Sequence, residues 1–409
     1  MNARSRALVA LGVAVATALG LPGAARATTV GTARPISLSF PTPRVGYVLS
    51  LADCATRTCV TLAHTSDGGT TWAKVPTPTG LRHDVGQATW GFYGGADGYA
   101  TLSVHFADAR DGWIYGVVPA RATPTNPAPN YVYRLWSTHT AGATWTAIPL
   151  GPVHLRLGVV AMATHGAWTY LYGASASPPQ SLILATASTQ DRWGSRARMV
   201  LPIPAGGTQL QGAITFAGRQ GWFVGGNDRG AWFARLGAHG TWVPWTVTSL
   251  AVRSAGFRPV AVTPAGSLLV VAASSGFSTP TSSVPPGWNA GSTWMVISQD
   301  GGRTFVPRRE LSASYHVVFP VVPGLPAAPA SGVLLVERQT SSGALQLVRS
   351  ANGGATWQVV VRHDLRQVSL GTRGPGFAIA VIGPPTSVDA VLLRTLDAGG
   401  HWAPVTLHR

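Results

Sequence analysis

The chain has 409 residues, of which 45% are hydrophobic and only 11% charged, with 49 glycines, 31 prolines and a formal charge of +16. That is enough apolar material for a large core, which excludes a disordered polymer, while the glycine and proline content argues against long helices and for many short strands joined by tight turns. The basic excess is arginine apart from Lys74, and no Lys/Arg run is interleaved with aromatics, so the charge predicts a positive field attractive to anionic polymers, lipid headgroups or acidic proteins rather than a specific nucleic-acid reader.

Residues Met1 to Ala27 read as a secretory signal peptide. Arg4 and Arg6 precede the apolar run Ala7 to Leu21, Pro22 and Gly23 break it, and Ala25-Arg26-Ala27 supplies a small-x-small cleavage pattern. The run falls short of the roughly 20 residues that span a bilayer. The expected domains are therefore a signal peptide, 1–27, and a single mature domain, 28–409. An exported chain meets an oxidising compartment, where Cys54 and Cys59, the only cysteines, are expected to form a disulfide across a hairpin loop.

From there a two-part pattern repeats. Its first part is an apolar strand, a turn, then Gly followed by an aromatic or aliphatic run. The clear copies run from Phe106 to Gly112-Trp113 and from Phe216 to Gly221-Trp222; weaker ones begin at Gly46, Ala167, Gly266, Gly332 and Gly376. Its second part is Ser/Thr-x-Asp/Asn-x-Gly-x-Thr-aromatic, carried by Thr65 to Trp72, Ser298 to Phe305, Ser350 to Trp357 and, with His401 in place of Thr, Thr395 to Trp402. A fifth copy, Thr138 to Trp145, has Thr140 where Asp belongs, and remnants survive at Ser188 to Trp193 and Gly237 to Trp242. Pairing the parts gives seven units of about 55 residues, each reading as four strands. The expected fold is all-β, a seven-bladed β-propeller of four-stranded antiparallel blades.

In each phrase the Asp or Asn accepts hydrogen bonds from its own turn, Gly takes the positive φ, and the aromatic packs between sheets. Asp67, Asp300, Asn352 and Asp397, with Trp72, Phe305, Trp357 and Trp402, are thus assigned a structural role and not a catalytic one. The phrase resembles the Asp-box, or BNR, repeat of sialidases, sortilin-type receptors, xyloglucanases and the propellers that assist photosystem II assembly, and the resemblance covers essentially the whole of 28–409.

Strand order puts the 1-to-2 turns and the boxes at one end of the blades and the 2-to-3 and 4-to-1 loops at the other. The long insertions, Thr77 to Gly98, Pro119 to Asn130 and Ser274 to Ser292, all belong to the second group, where function is expected. The segments leading into first strands supply Arg82, His83 and Asp84, His154 and Arg156, Arg253, and Arg362, His363, Asp364 and Arg366. This is a basic rim suited to carboxylate, phosphate or sulfate groups. Arg82-His83-Asp84 and Arg362-His363-Asp364 echo one another, and an Asp that orients a His would make a general base or a pH-sensitive contact. Trp90 and Trp288 fall in the long loops as stacking candidates, whereas Trp72, Trp113, Trp145, Trp168, Trp193, Trp222, Trp242, Trp357 and Trp402 fall at repeat positions and are expected in the core.

The expected function is that of a secreted, non-catalytic propeller in the extracellular space or cell envelope. It is read as a monomer that binds a protein or an anionic glycopolymer through the loop-rich face and touches anionic membrane or cell wall peripherally, or that serves as an envelope assembly or scaffold factor. The alternative is a sialidase-like or other glycoside hydrolase acting on extracellular glycans. Against it, Arg34-Pro35-Ile36 has the wrong order for the sialidase Arg-Ile-Pro motif, and the two glutamates lack a good tyrosine partner: Glu310 has only Tyr315 near it in sequence, and Glu337 is placed in or near the third strand of its unit. Asp84, Asp97 and Asp364 are the remaining carboxylates on the loop face. No metal or other cofactor is implied, because the eleven histidines lack ligand spacings.

Overall fold

In the computed structural model, the described residues are 33–54, 57–79, 81, 102–119, 131–150, 158–176, 179–193, 198–202, 211–217, 220–227, 230–237, 240–244, 257–265, 268–275, 293–300, 304, 306–312, 327–330, 333–339, 345–361, 370–372, 378–382, 391–405 and 407. They belong to one unit, Gly31–Arg409.

Among the described residues the strands fall into seven four-stranded antiparallel sheets, each built from consecutive strands. The first comprises β1 (Arg34–Ser39), β2 (Gly46–Cys54), β3 (Arg57–Thr65) and β4 (Ala73–Val75); the second β5 (Leu102–Phe106), β6 (Gly112–Pro119), β7 (Tyr131–Thr138) and β8 (Thr146–Ala147). The third comprises β9 (Gly158–His165), β10 (Trp168–Ala176), β11 (Pro179–Ala187) and β12 (Arg198–Pro202); the fourth β13 (Gln211–Ala217), β14 (Gln220–Asn227), β15 (Gly230–Leu236) and β16 (Trp242–Pro244). The fifth comprises β17 (Phe257–Ala265), β18 (Leu268–Ser275), β19 (Thr293–Ser298) and β20 (Val306–Ser312); the sixth β21 (Ala327–Ala330), β22 (Val333–Gln339), β23 (Leu345–Ser350) and β24 (Gln358–Val361); the seventh β25 (Leu370–Thr372), β26 (Ala378–Ile382), β27 (Val391–Thr395) and β28 (Ala403–Val405). Glu337 therefore lies on β22, the second strand of its sheet rather than the third, because the Ala/Pro-rich stretch Ala327–Ala330 takes the first position.

Most successive sheets pack through their first strands: β1 lies against β5, β9 against β13, β13 against β17, β17 against β21 and β21 against β25, whereas the second sheet meets β9 through β6 and β7, and β25 to β27 return to β1. This is the side-by-side sheet packing of a β-propeller, and apolar layers fill the gaps. Leu49, Leu51, Leu62, Val104, Phe106 and Ile114 lie between the first and second sheets. Trp113, Leu135, Leu171, Leu184 and Trp193 lie between the second and third, and Leu38, Phe40, Val48, Trp72 and Leu392 between the first and last. Of the nine repeat tryptophans, Trp72, Trp113, Trp193, Trp222 and Trp242 are buried. Trp145, Trp168, Trp357 and Trp402 are only half-buried, a correction to the core assignment: each caps the edge of its sheet, where less neighbouring surface is there to cover a ring of this size.

The Gly-aromatic signal has a steric cause. A Cβ on Gly112 would fall within the ring of Phe106, with two ring carbons at 2.6 Å, and Gly221 stands in the same relation to Phe216 at 2.5 Å. Gly46 meets Phe40 in the same way, so the first sheet carries a full copy of the device. The glycine lets an aromatic from the end of the first strand fold flat over the start of the second. Phe106 then stacks on Tyr47 of the neighbouring sheet, ring centroids 3.4 Å apart and planes 4° apart. The Tyr47 hydroxyl donates to the Ala109 carbonyl at 2.7 Å, and burial pushes its pKa up to about 12, with the charge of Asp108 adding to the effect.

Candidate functional site

Each box is a closed hydrogen-bonding unit. In the first, the buried Thr65 hydroxyl donates to Asp67 Oδ1 at 2.8 Å and accepts from the Gly69 amide at 2.9 Å. Asp67 Oδ1 accepts from the amides of Thr70 and Thr71, both at 2.9 Å, and Oδ2 accepts from the Thr71 hydroxyl at 2.6 Å. The Trp72 indole N–H donates to the Gly69 carbonyl at 3.2 Å. The Thr71 hydroxyl and amide, then the Thr65 hydroxyl, hold the Asp67 carboxyl well below the usual carboxylate range, because each donor favours the charged form.

The other copies follow the same plan with substitutions that keep its logic. Asp300 accepts from Ser298 Oγ at 2.7 Å and from the amide and hydroxyl of Thr304 at 2.9 and 2.7 Å; Phe305 lies outside the described residues. Asn352 Oδ1 accepts from the Thr356 amide at 2.9 Å, but its Nδ2 donates to the Thr356 hydroxyl, so the hydroxyl reverses its role. Asp397 accepts from the amide of His401 and bonds its ring at 2.5 Å. In the fifth copy the Thr140 hydroxyl stands in for the carboxylate and accepts from the Thr144 amide at 2.9 Å. Each of these carboxylates is spent on its own turn, which leaves little for chemistry on a substrate.

The remnants show what the box supplies. Trp72, Trp357 and Trp402 donate to the carbonyls of Gly69, Gly354 and Gly399. Trp193 has Gln190 in place of that glycine, with the Gln190 carbonyl accepting from the Thr186 hydroxyl at 3.0 Å, and the buried indole N–H groups of Trp193 and Trp242 have no acceptor among the described residues.

One charged cluster stands apart from the boxes and was not foreseen from the sequence. His139, in the fifth copy, places Nδ1 2.8 Å from Asp111 Oδ1 and Nε2 3.2 Å from Asp191 Oδ2. Asp111 belongs to the β5–β6 turn, and Asp191 to the worn box between β11 and β12 of the next sheet. Asp191 is held in turn by the Ser137 hydroxyl at 2.7 Å and the Trp113 indole at 3.2 Å. Burial alone disfavours a charged His139, but the hydrogen bonds and charges of Asp111 and Asp191 outweigh it and raise its pKa above the ordinary 6.5. Burial raises Asp111 too, opposed by the His139 hydrogen bond and reinforced by the charge of Asp108. The signal for this cluster was the departure from the repeat: an Asp before Gly112-Trp113, a His inside a box, and an Asp inside a remnant. No group of three metal-ligating side chains with cation-site geometry occurs among the described residues.

The loop-face candidates Arg82, His83, Asp84, Trp90, His154, Arg156, Arg253, Trp288, Arg362, His363, Asp364 and Arg366 all lie outside the described residues. The strand ends that bracket them are described: β4 ends at Val75 and β5 begins at Leu102, β6 ends at Pro119 and β7 begins at Tyr131, and β18 ends at Ser275 and β19 begins at Thr293. These three insertions thus fall at 4-to-1 and 2-to-3 connections. The boxes are at the opposite end, beside the 1-to-2 turns, to which the Gly68 amide is bound through the Arg44 carbonyl at 2.7 Å and the Ala141 amide through the Arg110 carbonyl at 2.9 Å.

No protein-family model and no curated protein matches the chain. Solved structures do match over nearly its whole length. One is described as YCF48 bound to a D1 peptide, with a TM-score of 0.52 and 16% identity over 90% of this chain and 94% of that one. Another is a polysaccharide lyase acting as an ulvan lyase, with a TM-score of 0.53 and 10% identity over 92% and 94%. A third is the β-propeller domain of the trilobed protease from Pyrococcus furiosus, with a TM-score of 0.52 and 7% identity over 92% and 96%. At such identities the likeness establishes the fold alone: the chain is an all-β propeller.

Proposed function

We propose that this propeller is a secreted, non-catalytic binding protein of the extracellular space or cell envelope, and that its loop-rich face takes a protein or an anionic glycopolymer. In this reading residues 1–27 are a cleaved signal peptide and the seven sheets are the seven blades of one Asp-box ring. Cys59, which is disulfide-bonded, pairs with Cys54, the only other cysteine, across the β2–β3 hairpin. The observation that carries the reading is the division of labour between the two ends of the blades. The box carboxylates are consumed by their own turns at one end, and the long arginine- and tryptophan-bearing insertions emerge at the other.

The structural neighbours include a peptide-bound propeller and a polysaccharide lyase, so a propeller serves either use. Composition favours binding: 14 acidic residues against 30 basic ones, several of the acids being spent on turns, leave few groups for acid/base hydrolysis and a surplus for holding anions. The test is retention of the mature protein on a glycan array and on extracellular protein extracts, repeated with Arg82, Arg362 and Arg366 changed to Ala. Loss of retention on anionic glycans or on a defined protein supports the basic rim, and unchanged retention refutes it. Release of reducing sugar from any retained glycan would favour the glycoside hydrolase alternative, with Asp84, Asp97 and Asp364 as its candidate acids.

A further inference from the structure

We propose that His139, clamped between Asp111 and Asp191, is a proton-operated latch between the second and third sheets, closed while the cluster carries one extra proton and released on its Asp191 side when that proton leaves. The argument begins with proton counting. Both imidazole nitrogens lie within hydrogen-bond distance of carboxylate oxygens, at 2.8 and 3.2 Å. A neutral imidazole has one N–H and one lone pair, and a lone pair facing a carboxylate repels it. Both contacts hold together only when the ring is doubly protonated or a carboxyl is protonated, so the closed geometry itself requires the additional proton.

Which contact gives way follows from the surroundings. The His139–Asp111 pair is internal to the second sheet, shorter, and involves the more buried carboxylate, with a side-chain exposure of 9% against 24% for Asp191. Asp191 keeps Ser137 and Trp113 as donors when His139 turns away. Of the two His139 contacts, the one that opens is therefore the one to the third sheet, while the Ser137 and Trp113 bonds to Asp191 continue to join the sheets. It sits at the edge of the apolar layer that joins them, formed by Trp113, Leu135, Leu171, Leu184 and Trp193.

The other charged groups around the ring do not supply the missing proton. In the β5–β6 turn, Asp108 accepts from the amides of Arg110 and Asp111 and adds negative charge. Arg110 directs its guanidinium to the His139 carbonyl at 3.5 Å. In the β11–β12 turn, Arg192 beside Asp191 is exposed. His139 is itself 35% exposed, so its proton exchanges with solvent. His139 and Asp111 both shift upward on folding, which means the cluster takes up protons as it forms. For His139 the folded pKa lies above 6.5, so its stabilisation is fully present below 6.5 and is lost as pH rises through the folded value.

The test is a proton NMR titration of the histidine rings in the mature protein, with the His139 signal assigned by its absence in H139Q, followed by the same titration in D191N. The latch predicts a His139 midpoint above 6.5 that moves down in D191N. A midpoint at or below 6.5, or one unmoved by D191N, overturns it. Should D191N fail to fold, H139Q decides alone. The denaturant midpoint of the wild type should fall between pH 5.5 and 8.5 more steeply than that of H139Q, and equal slopes overturn the proposal.

Discussion

Substituting Gly112 by Ala is the most direct probe of how the sheets are fitted together. At an ordinary strand position the change would stabilise the protein by about 0.4–1 kcal/mol, because alanine restricts the unfolded chain. Gly112 has no positive φ to defend, so the sign of the effect isolates space. The new methyl would enter the ring of Phe106, which is 2% exposed, stacked on Tyr47 and edge-on to Trp145 at 6.3 Å. Overpacking of this kind costs about 1–3 kcal/mol, while expelling the ring altogether would approach the roughly 3–5 kcal/mol of a Phe-to-Ala truncation. The expected outcome is a net loss of about 1–3 kcal/mol in equilibrium urea unfolding. A double-mutant cycle with F106L sharpens it: a smaller, flexible side chain yields to the methyl, so G112A should cost at least about 1 kcal/mol less in that background. G112A at or above wild-type stability would refute the reasoning, and an unchanged cost in F106L would move the clash to another neighbour.

The box positions give three further tests. Ala141 and Ala398 hold φ near 56°, where other copies have Gly68 and Gly353; A141G and A398G should each raise stability by about 0.5–1 kcal/mol, relief of left-handed strain exceeding the added chain entropy, as read from urea midpoints. Trp72 donates its indole N–H to Gly69, while Trp193 has no acceptor among the described residues, so W72F should cost about 1 kcal/mol more than W193F, and equal costs would remove the carbonyl from the account. Asp67 and Asp397 are held well below the usual carboxylate range, so their contribution is present above the ordinary 3.8 and is lost as pH falls toward their folded values. The double variant D67N/D397N, which copies the natural Asn352, should lose less stability than wild type between pH 5 and pH 2 in acid-unfolding curves, and parallel curves would refute the assignment.

The repeat made the sheets and their turns readable in advance, since glycine, hydroxyl and aromatic recur wherever the backbone needs positive φ, a buried hydroxyl and an interlayer ring. The Phe106–Gly112 and Phe216–Gly221 copies were legible for that reason, and the Phe40–Gly46 copy was weaker only because Pro41-Thr42-Pro43 disguises the turn. The His139 cluster was not legible. Its three members sit in three turns, 28 and 52 residues apart, and each is a deviation that a consensus discards. Only the packing of the second sheet on the third brings them within bonding distance. The half-burial of Trp145 and Trp357 escaped the sequence for a related reason: the pattern marks which face an aromatic occupies, and the neighbouring sheet decides how far it is covered.

Among the described residues, the first and last sheets each draw all four strands from their own stretch of chain, and no described strand is shared across the seam. They meet instead through the apolar layer around Trp72 and Leu392 and through Arg394, whose guanidinium donates to the Gly68 carbonyl at 3.0 Å and the Thr70 hydroxyl at 2.9 Å. Pairing within a sheet is local in sequence and can proceed as soon as its hairpins exist, whereas this contact joins positions more than three hundred residues apart. Its loop-closure entropy exceeds that of any pairing within a described sheet. Closure at the seam is therefore the expected last step of assembly, and in a permuted chain cut between two other sheets, with 33 linked to 407, stopped-flow refolding should show the slow phase respond to substitutions at the new ends and no longer to R394A.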